Sequence, residues 1–253
     1  MVLEVDGYVA RMEIVTSSDR PDLETQAGEV FRVKWPEFIF HDPTAAKYHQ
    51  RASKYFSEFD VLVLDDGRVI AGGWGVPLRW NGTIEDLPDG YDGALERSIE
   101  DHESGVPPTA LSIMAAAVGN DVTKQGLAGR VLTALSDRAH SAGLSHMIAP
   151  LRPTIKHRYP TTPMMTFVSW TRPDRLSIDP WIRAHQRMGA TILAPAARSM
   201  VISGTVAEWE SWTDMVFPES GSYIVPDALG LVDINRETDT GTYVEEGLWV
   251  QHL

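Results

Sequence analysis

The sequence predicts a mixed α/β fold, and three stretches carry that prediction. Thr109 to Pro150 reads strand, loop, helix, strand, a crossover that joins two parallel strands. Asp65-Asp66-Gly67 lies between two alternating runs, the pattern of an antiparallel hairpin. Asp179 to Ala190 carries helix signals at both ends: Asp179 suits the N-cap, Pro180 the first turn, and Gly189 the close.

Along the chain, Gly7 to Val15 alternates apolar and other residues and reads as an opening strand. After a polar break at Ser17 to Pro21, Asp22 is expected to cap a helix through roughly Val33. The aromatic stretch Trp35 to Phe40 ends it. Asp42-Pro43-Thr44 begins another helix, carrying Tyr48, Tyr55 and Phe56 before Phe59. The hairpin strands run over Asp60 to Leu64 and Arg68 to Trp80, and Gly72, Gly73 and Gly75 mark a bulge or close packing in the second. Asn81 to Gly93 is a loop, and its sequon Asn81-Gly82-Thr83 reads as a turn. A short helix follows over Ala94 to His102, where Glu96, Glu100, Asp101, His102 and Glu103 read as a solvated face. Thr109 to Val118 is apolar at nearly every position, as a strand buried on both faces is. Leu127, Val131, Leu132, Leu135 and Ala139 recur at helical spacing up to Gly143, and His146 to Pro150 is the second apolar strand. Thr191 to Leu193 and Met200 to Ser203 read as two closing strands.

Composition excludes several classes of function. The 253 residues make one large domain or two small ones. No run of about 18 apolar residues predicts a membrane span, and no secretory pattern opens the chain, so a soluble cytoplasmic protein is expected. With no cysteine there is no thiolate nucleophile or disulfide. A formal net charge of −13 argues against nucleic acid. It suits a cationic amine substrate through long-range steering, or is simply an acidic surface. No His-Glu-x-x-His, Walker loop or Gly-x-Ser-x-Gly occurs, and the eight histidines are scattered, so no metal is expected.

The loop Gly119 to Gln125, with Gly126 after it, carries the chemistry. Gly126 has no side chain, Ala128 and Gly129 add little bulk, and Lys124 and Arg130 add positive charge. The first turn of a helix presents unpaired N–H groups that bind phosphate oxygens. An ordinary glycine-containing loop is the other reading of Gly126 and Ala128 alone. The wider spacing resembles the coenzyme A-binding segment of the GNAT acyltransferases, whose signature is Arg/Gln-x-x-Gly-x-Gly/Ala. Here it reads Thr123-Lys124-Gln125-Gly126-Leu127-Ala128, with Thr where Arg or Gln is usual. The resemblance implies a central, mostly antiparallel mixed sheet with a splayed parallel strand pair, flanked by helices. It assigns cofactor binding to Ala116, Val118, Thr123, Lys124, Gln125, Gly126, Leu127, Ala128, Gly129 and Arg130, with acetyl-CoA or another acyl-CoA as co-substrate. The parallel strands would part at Val118 and Ile148 to admit the pantetheine arm.

A second block is similar to the GNAT helix that ends Tyr-x-x-x-Gly-Phe. Its spacing puts His185, four residues before Gly189, where the family's tyrosine protonates the departing thiolate. A histidine serves if a neighbouring acid keeps it charged; a hydrogen-bonded core histidine is the alternative. On the acceptor side, Trp35, Phe38 and Phe40 line a pocket or belong to the core. Arg152, Lys156 and Arg158 hold a phosphate or carboxylate, or pair with surface acids. Glu37, Asp42, His41 or water would take the ammonium proton.

The resemblance covers about residues 7–204. Residues 205–253 form a C-terminal extension, with aromatic residues among acids, that resembles a GNAT subgroup of actinobacterial type. That segment would cap the acceptor site, make a homodimer contact, or pack on the sheet edge. The implied function is direct transfer of an acyl group, most simply acetyl, to a primary amine of a small molecule, aided by proximity. The rivals are an acyl-CoA-binding or sensing module and a scaffold for protein interaction. An O-acyltransferase or acyl-CoA decarboxylase is a closer variant.

Overall fold

A computed structural model describes residues 12–32, 35–119 and 126–252. Strand β1 (Met12–Thr16) is followed by a 3-10 turn at Pro21–Leu23 and helix α1 (Glu24–Arg32). Asp22 lies inside that turn, 2.6 Å from the Arg20 guanidinium, instead of capping α1. Another 3-10 turn, Glu37–His41, leads into α2 (Pro43–Tyr55). Its N-cap is Asp42, whose Oδ1 accepts from the amides of Thr44 and Ala45 at 2.6 and 3.1 Å. Strands β2 (Asp60–Asp65) and β3 (Arg68–Leu78) form the expected hairpin. Asp66 and Gly67 have φ of 52° and 79°, the left-handed pair that matches strand twist.

Helix α3 (Gly90–Glu103) begins four residues before the expected start. Its acids are engaged with other elements. Glu96 accepts from Tyr48, and Glu103 from Arg51 and Tyr55. Strand β4 (Ala110–Val118), α4 (Leu127–Ser141) and β5 (His146–Leu151) make the predicted crossover. Val131, Leu132 and Leu135 of α4 are fully buried against the sheet, each stabilising by roughly 1.5–3 kcal/mol. A Cβ on Gly73 would overlap Val131, so β3 and α4 approach as closely as they do only because residue 73 is glycine.

After the short helix α5 (Met164–Val168) comes α6 (Pro180–Arg187), capped by Asp179 as expected. The two closing strands expected over 191–203 are one, β6 (Thr191–Gly204), broken by register shifts at Ile192/Ala194 and Ala196/Met200. The expected boundary at residue 204 falls at its end. Beyond it lie α7 (Val206–Thr213), β7 (Gly221–Ile224), β8 (Leu231–Asn235) and β9 (Thr240–His252).

The sheet order is β1-β2-β3-β4-β5-β9-β8-β7, with β6 on β9, and every pair is antiparallel except β4–β5. The last strand therefore lies inside the sheet, paired to both β5 and β6. A second, smaller core gathers Ile202, Trp209, Phe217, Val232 and Tyr243 around Phe38. No helix among the described residues is long and apolar enough to cross a membrane.

Candidate functional site

The site is a wedge in the sheet. β4 and β5 pair only at Ala110–His146, Leu111–Met147 and Ser112–Ile148, although β4 runs on to Val118 and β5 to Leu151. The strands thus part beyond Ile148, and Val118 lies six residues past the last rung. A bulge adds to the divergence: Trp74 pairs with Ala115 but Gly75 with Ile113, leaving Met114 as the extra residue. The facing edges of Ile113–Val118 and Ala149–Leu151 keep backbone donors and acceptors that no ladder uses.

Gly126 opens α4 with φ of 86° and no side-chain cap. Among the described residues a Cβ there would meet nothing within 4 Å. The first turn, whose leading amides a helix leaves unpaired, borders a hollow of about 350 Å³ lined by Ile14, Gly126, Gly129, Arg130 and Asp137. These features fit a diphosphate. Leu127 is buried under the turn, Ala128 half-buried, and Arg130 exposed. Ala116 and Val118 lie on the unladdered part of β4, opposite Gly73 and Ala71. Thr123, Lys124 and Gln125 lie outside the described residues.

His185 is placed elsewhere. Its Nδ1 lies 2.8 Å from Nε2 of His252, and His252 pairs with Met147, at the closed end of the wedge. The ring is fully buried, and among the described residues its Nε2 has no partner and no acid bonds it. Burial, then the His252 ring, lowers its pKa to about 3, so it is neutral at physiological pH.

The acceptor-side residues separate. Phe38 is 1 % exposed, wedged between Trp209 and Tyr243, and so belongs to the core. Trp35 stacks on Phe31 and Phe40 is exposed beneath Arg32. Lys156 is turned inward, donating to the carbonyls of Tyr159 and Leu229 at 2.9 and 2.7 Å; Arg158 is exposed. Arg152 joins a buried network: its Nε is 2.9 Å from Glu245 Oε2, and its Nη2 donates to the carbonyl of Asp227. Tyr243 donates to the same Glu245 oxygen at 2.8 Å. His41 stacks on Trp212 and lies 3.4 Å from Glu37.

Sequence reasoning did not pick out the residues that surround the open end of the wedge. Trp74 lies beside Ala115, and Tyr91 and His49 meet its ring edge-on at 6.3 and 5.3 Å. Asp92 bonds the free edge of β6 through the Val201 amide, and its carboxyl meets that of Asp42. Between α3 and β6 is a hollow of about 360 Å³, lined by Asp89, Asp92, Glu96 and Glu100 together with Arg97 and Arg198.

No family model matches the chain. The arginine N-acetyltransferase avaD of Aspergillus versicolor is 31 % identical over 247 residues, covering 86 % of this chain and 84 % of that one. Among solved structures, the loading GNATL domain of CurA from Lyngbya majuscula superposes with a TM-score of 0.58 at 15 % identity, covering 96 % of this chain and 97 % of that one. The GphF GNAT-like decarboxylase, solved with isobutyryl-CoA, gives a TM-score of 0.51 at 13 % identity, covering 96 % and 98 %. These two carry the fold, and the first relative carries the family. The parted strand pair, the uncapped glycine at the head of α4 and this relationship together make the chain a member of the GNAT acyltransferase family.

Proposed function

We propose that the protein transfers an acyl group, most simply acetyl from acetyl-CoA, to the amine of a small molecule, with arginine the first acceptor to test. The observation that carries this reading is the parting of β4 from β5 beside the open first turn of α4. The acceptor class draws support from the relative that acts on arginine.

When bound, acyl-CoA supplies an activated thioester carbonyl. The amides at Leu127 to Gly129 hold diphosphate oxygens, and Arg130 adds a full charge. The unladdered backbone groups of Ile113–Val118 and Ala149–Leu151 hydrogen-bond the amides of the pantetheine arm. Holding both reactants on one face of the wedge removes much of the entropic barrier. The attacking amine has to reach the site uncharged, so its proton leaves first. In this reading His185 packs the closed end and does no chemistry. The test is to incubate the protein with acetyl-CoA and arginine, agmatine or putrescine and analyse the products by mass spectrometry. An acetylated amine is expected; unchanged amines in every case would refute the reading.

One observation favours a second reading, an acyl-CoA-binding module without turnover: the position of the family's acid holds a buried, neutral histidine. It predicts acetyl-CoA binding with no acetylated product.

A further inference from the structure

Tyr91 reaches across the wedge. On the β5 side, its amide donates to Ser199 Oγ at 3.1 Å. A Cβ on Gly247 would lie 2.9 Å from that same oxygen and 3.2 Å from the carbonyl of Leu151, the last residue of β5. On the β4 side, the Tyr91 ring meets Trp74, whose strand partner is Ala115. Its hydroxyl makes no hydrogen bond among the described residues.

Two acids act on its hydroxyl. Burial, then Asp42 and Asp92, hold the Tyr91 hydroxyl well above its usual pKa. Asp42 spends Oδ1 on the amides that begin α2, and Asp92 spends Oδ2 on the Val201 amide. The other oxygen of each, Asp42 Oδ2 and Asp92 Oδ1, is buried without a donor among the described residues, and Asp42 is completely buried. The two carboxyl groups meet. Two acceptors in contact require a proton or another positive charge with them. In the unliganded protein a proton serves: burial, then the bond to Asp42 and the Asp42 charge, push Asp92 up to about 9. Glu245, from β9, adds to this field and is itself paired with Arg152, while Arg97 and Arg198 line a hollow together with Asp92. Aromatic rings and two buried carboxylate oxygens without a donor among the described residues are complementary to a cation.

We propose that this constellation seats a positively charged group of the acceptor, an ammonium or guanidinium, against Trp74 and Tyr91 and beside the unpartnered oxygens of Asp42 and Asp92. Only the word acceptor rests on the transferase reading; the seat itself does not. The seated group is distinct from the nucleophilic nitrogen, so the acceptor carries a charge besides the amine that is acylated. The cation takes the place of the proton that Asp92 holds, and that proton goes to solvent.

Calorimetry with arginine, agmatine and putrescine tests this, against citrulline as the uncharged counterpart of arginine. Each titration is run with saturating CoA in two buffers of different ionisation enthalpy. At least one cation is expected to bind with proton release, and citrulline about tenfold or more weaker than arginine. Asp92→Asn is expected to abolish the proton release while leaving acetyl-CoA affinity within about twofold. Tyr91→Phe keeps the fold testable should the Asn variant fail to accumulate, and is expected to weaken cation binding severalfold. Equal binding of arginine and citrulline, binding of none of the three cations, or proton release that survives in Asp92→Asn would each overturn the seat. Cation binding with proton release but no acetylated product refutes the transferase reading and leaves the seat standing.

Discussion

Gly126 allows the diphosphate site to be tested by changing charge at one position. Its φ of 86° is one that L residues adopt at a cost of roughly 1–2 kcal/mol, so any substitution lowers stability. Among the described residues nothing lies within 4 Å of a Cβ at this position, so alanine meets no described neighbour and glutamate starts into open space. Gly126→Ala and Gly126→Glu therefore share one backbone cost and differ in charge. At the head of α4 a carboxylate favours the helix, so the Glu variant should be no less stable than the Ala variant. Against a bound diphosphate the sign reverses. At about 5 Å, and a dielectric between those of water and a protein surface, repulsion is about 1–3 kcal/mol per phosphate charge. That is roughly tenfold to a hundredfold in Kd. Thermal unfolding gives the stabilities, and isothermal titration with acetyl-CoA and with free CoA gives the affinities. Ala close to wild type and Glu far weaker for both ligands is the expected pattern. Equal affinities in the Ala and Glu variants would place the phosphates elsewhere and refute the reasoning.

Acid should weaken the fold through the histidine pair at the closed end of the wedge. His185 titrates at about 3 in the folded state, and burial lowers His252 as well. The unfolded chain therefore takes up protons first: this stability is full above about pH 6.5 and falls as pH drops, by about 1.4 kcal/mol per unit for His185, with His252 acting in the same direction. Urea unfolding at pH 7.5 and 5 should show the loss, and His185→Phe should make it shallower; an unchanged slope would count against the pair. Arg152→Met leaves Glu245, 2 % exposed, without its cation, at a cost of about 3–5 kcal/mol. The double variant with Glu245→Gln should recover most of that, and equal losses in the single and double variants would show that the charge pair is not the cause.

The scaffold of the wedge was legible because local chemistry determined it. The Asp-Gly hairpin, the crossover from Thr109 to Pro150 and the Asp179 cap are each set by neighbours in sequence, and all three stand in the structure. Asp22 misled because Pro21 drew it into a 3-10 turn and Arg20 took its carboxylate. The placement of β9 inside the sheet was not legible, since strand order depends on long-range pairing that no local pattern encodes. His185 matched by spacing, yet its role depends on His252, 67 residues away, and on burial. The same holds for the Asp42–Asp92 contact, which joins the start of α2 to α3. Glu245 did leave a signal: it shares the inward phase of β9 with Tyr243 and Trp249, where a charged residue requires a partner.

The central claim is that the wedge brings an acyl-CoA and a separate amine together for reaction. The most direct measurement is the rate of free CoA-thiol release from acetyl-CoA, with and without arginine, agmatine or putrescine. The account predicts release that depends on at least one of the amines, saturates with it, and accompanies an acetylated product. Release at the same rate with and without every amine, or no release while acetyl-CoA binds, would contradict it.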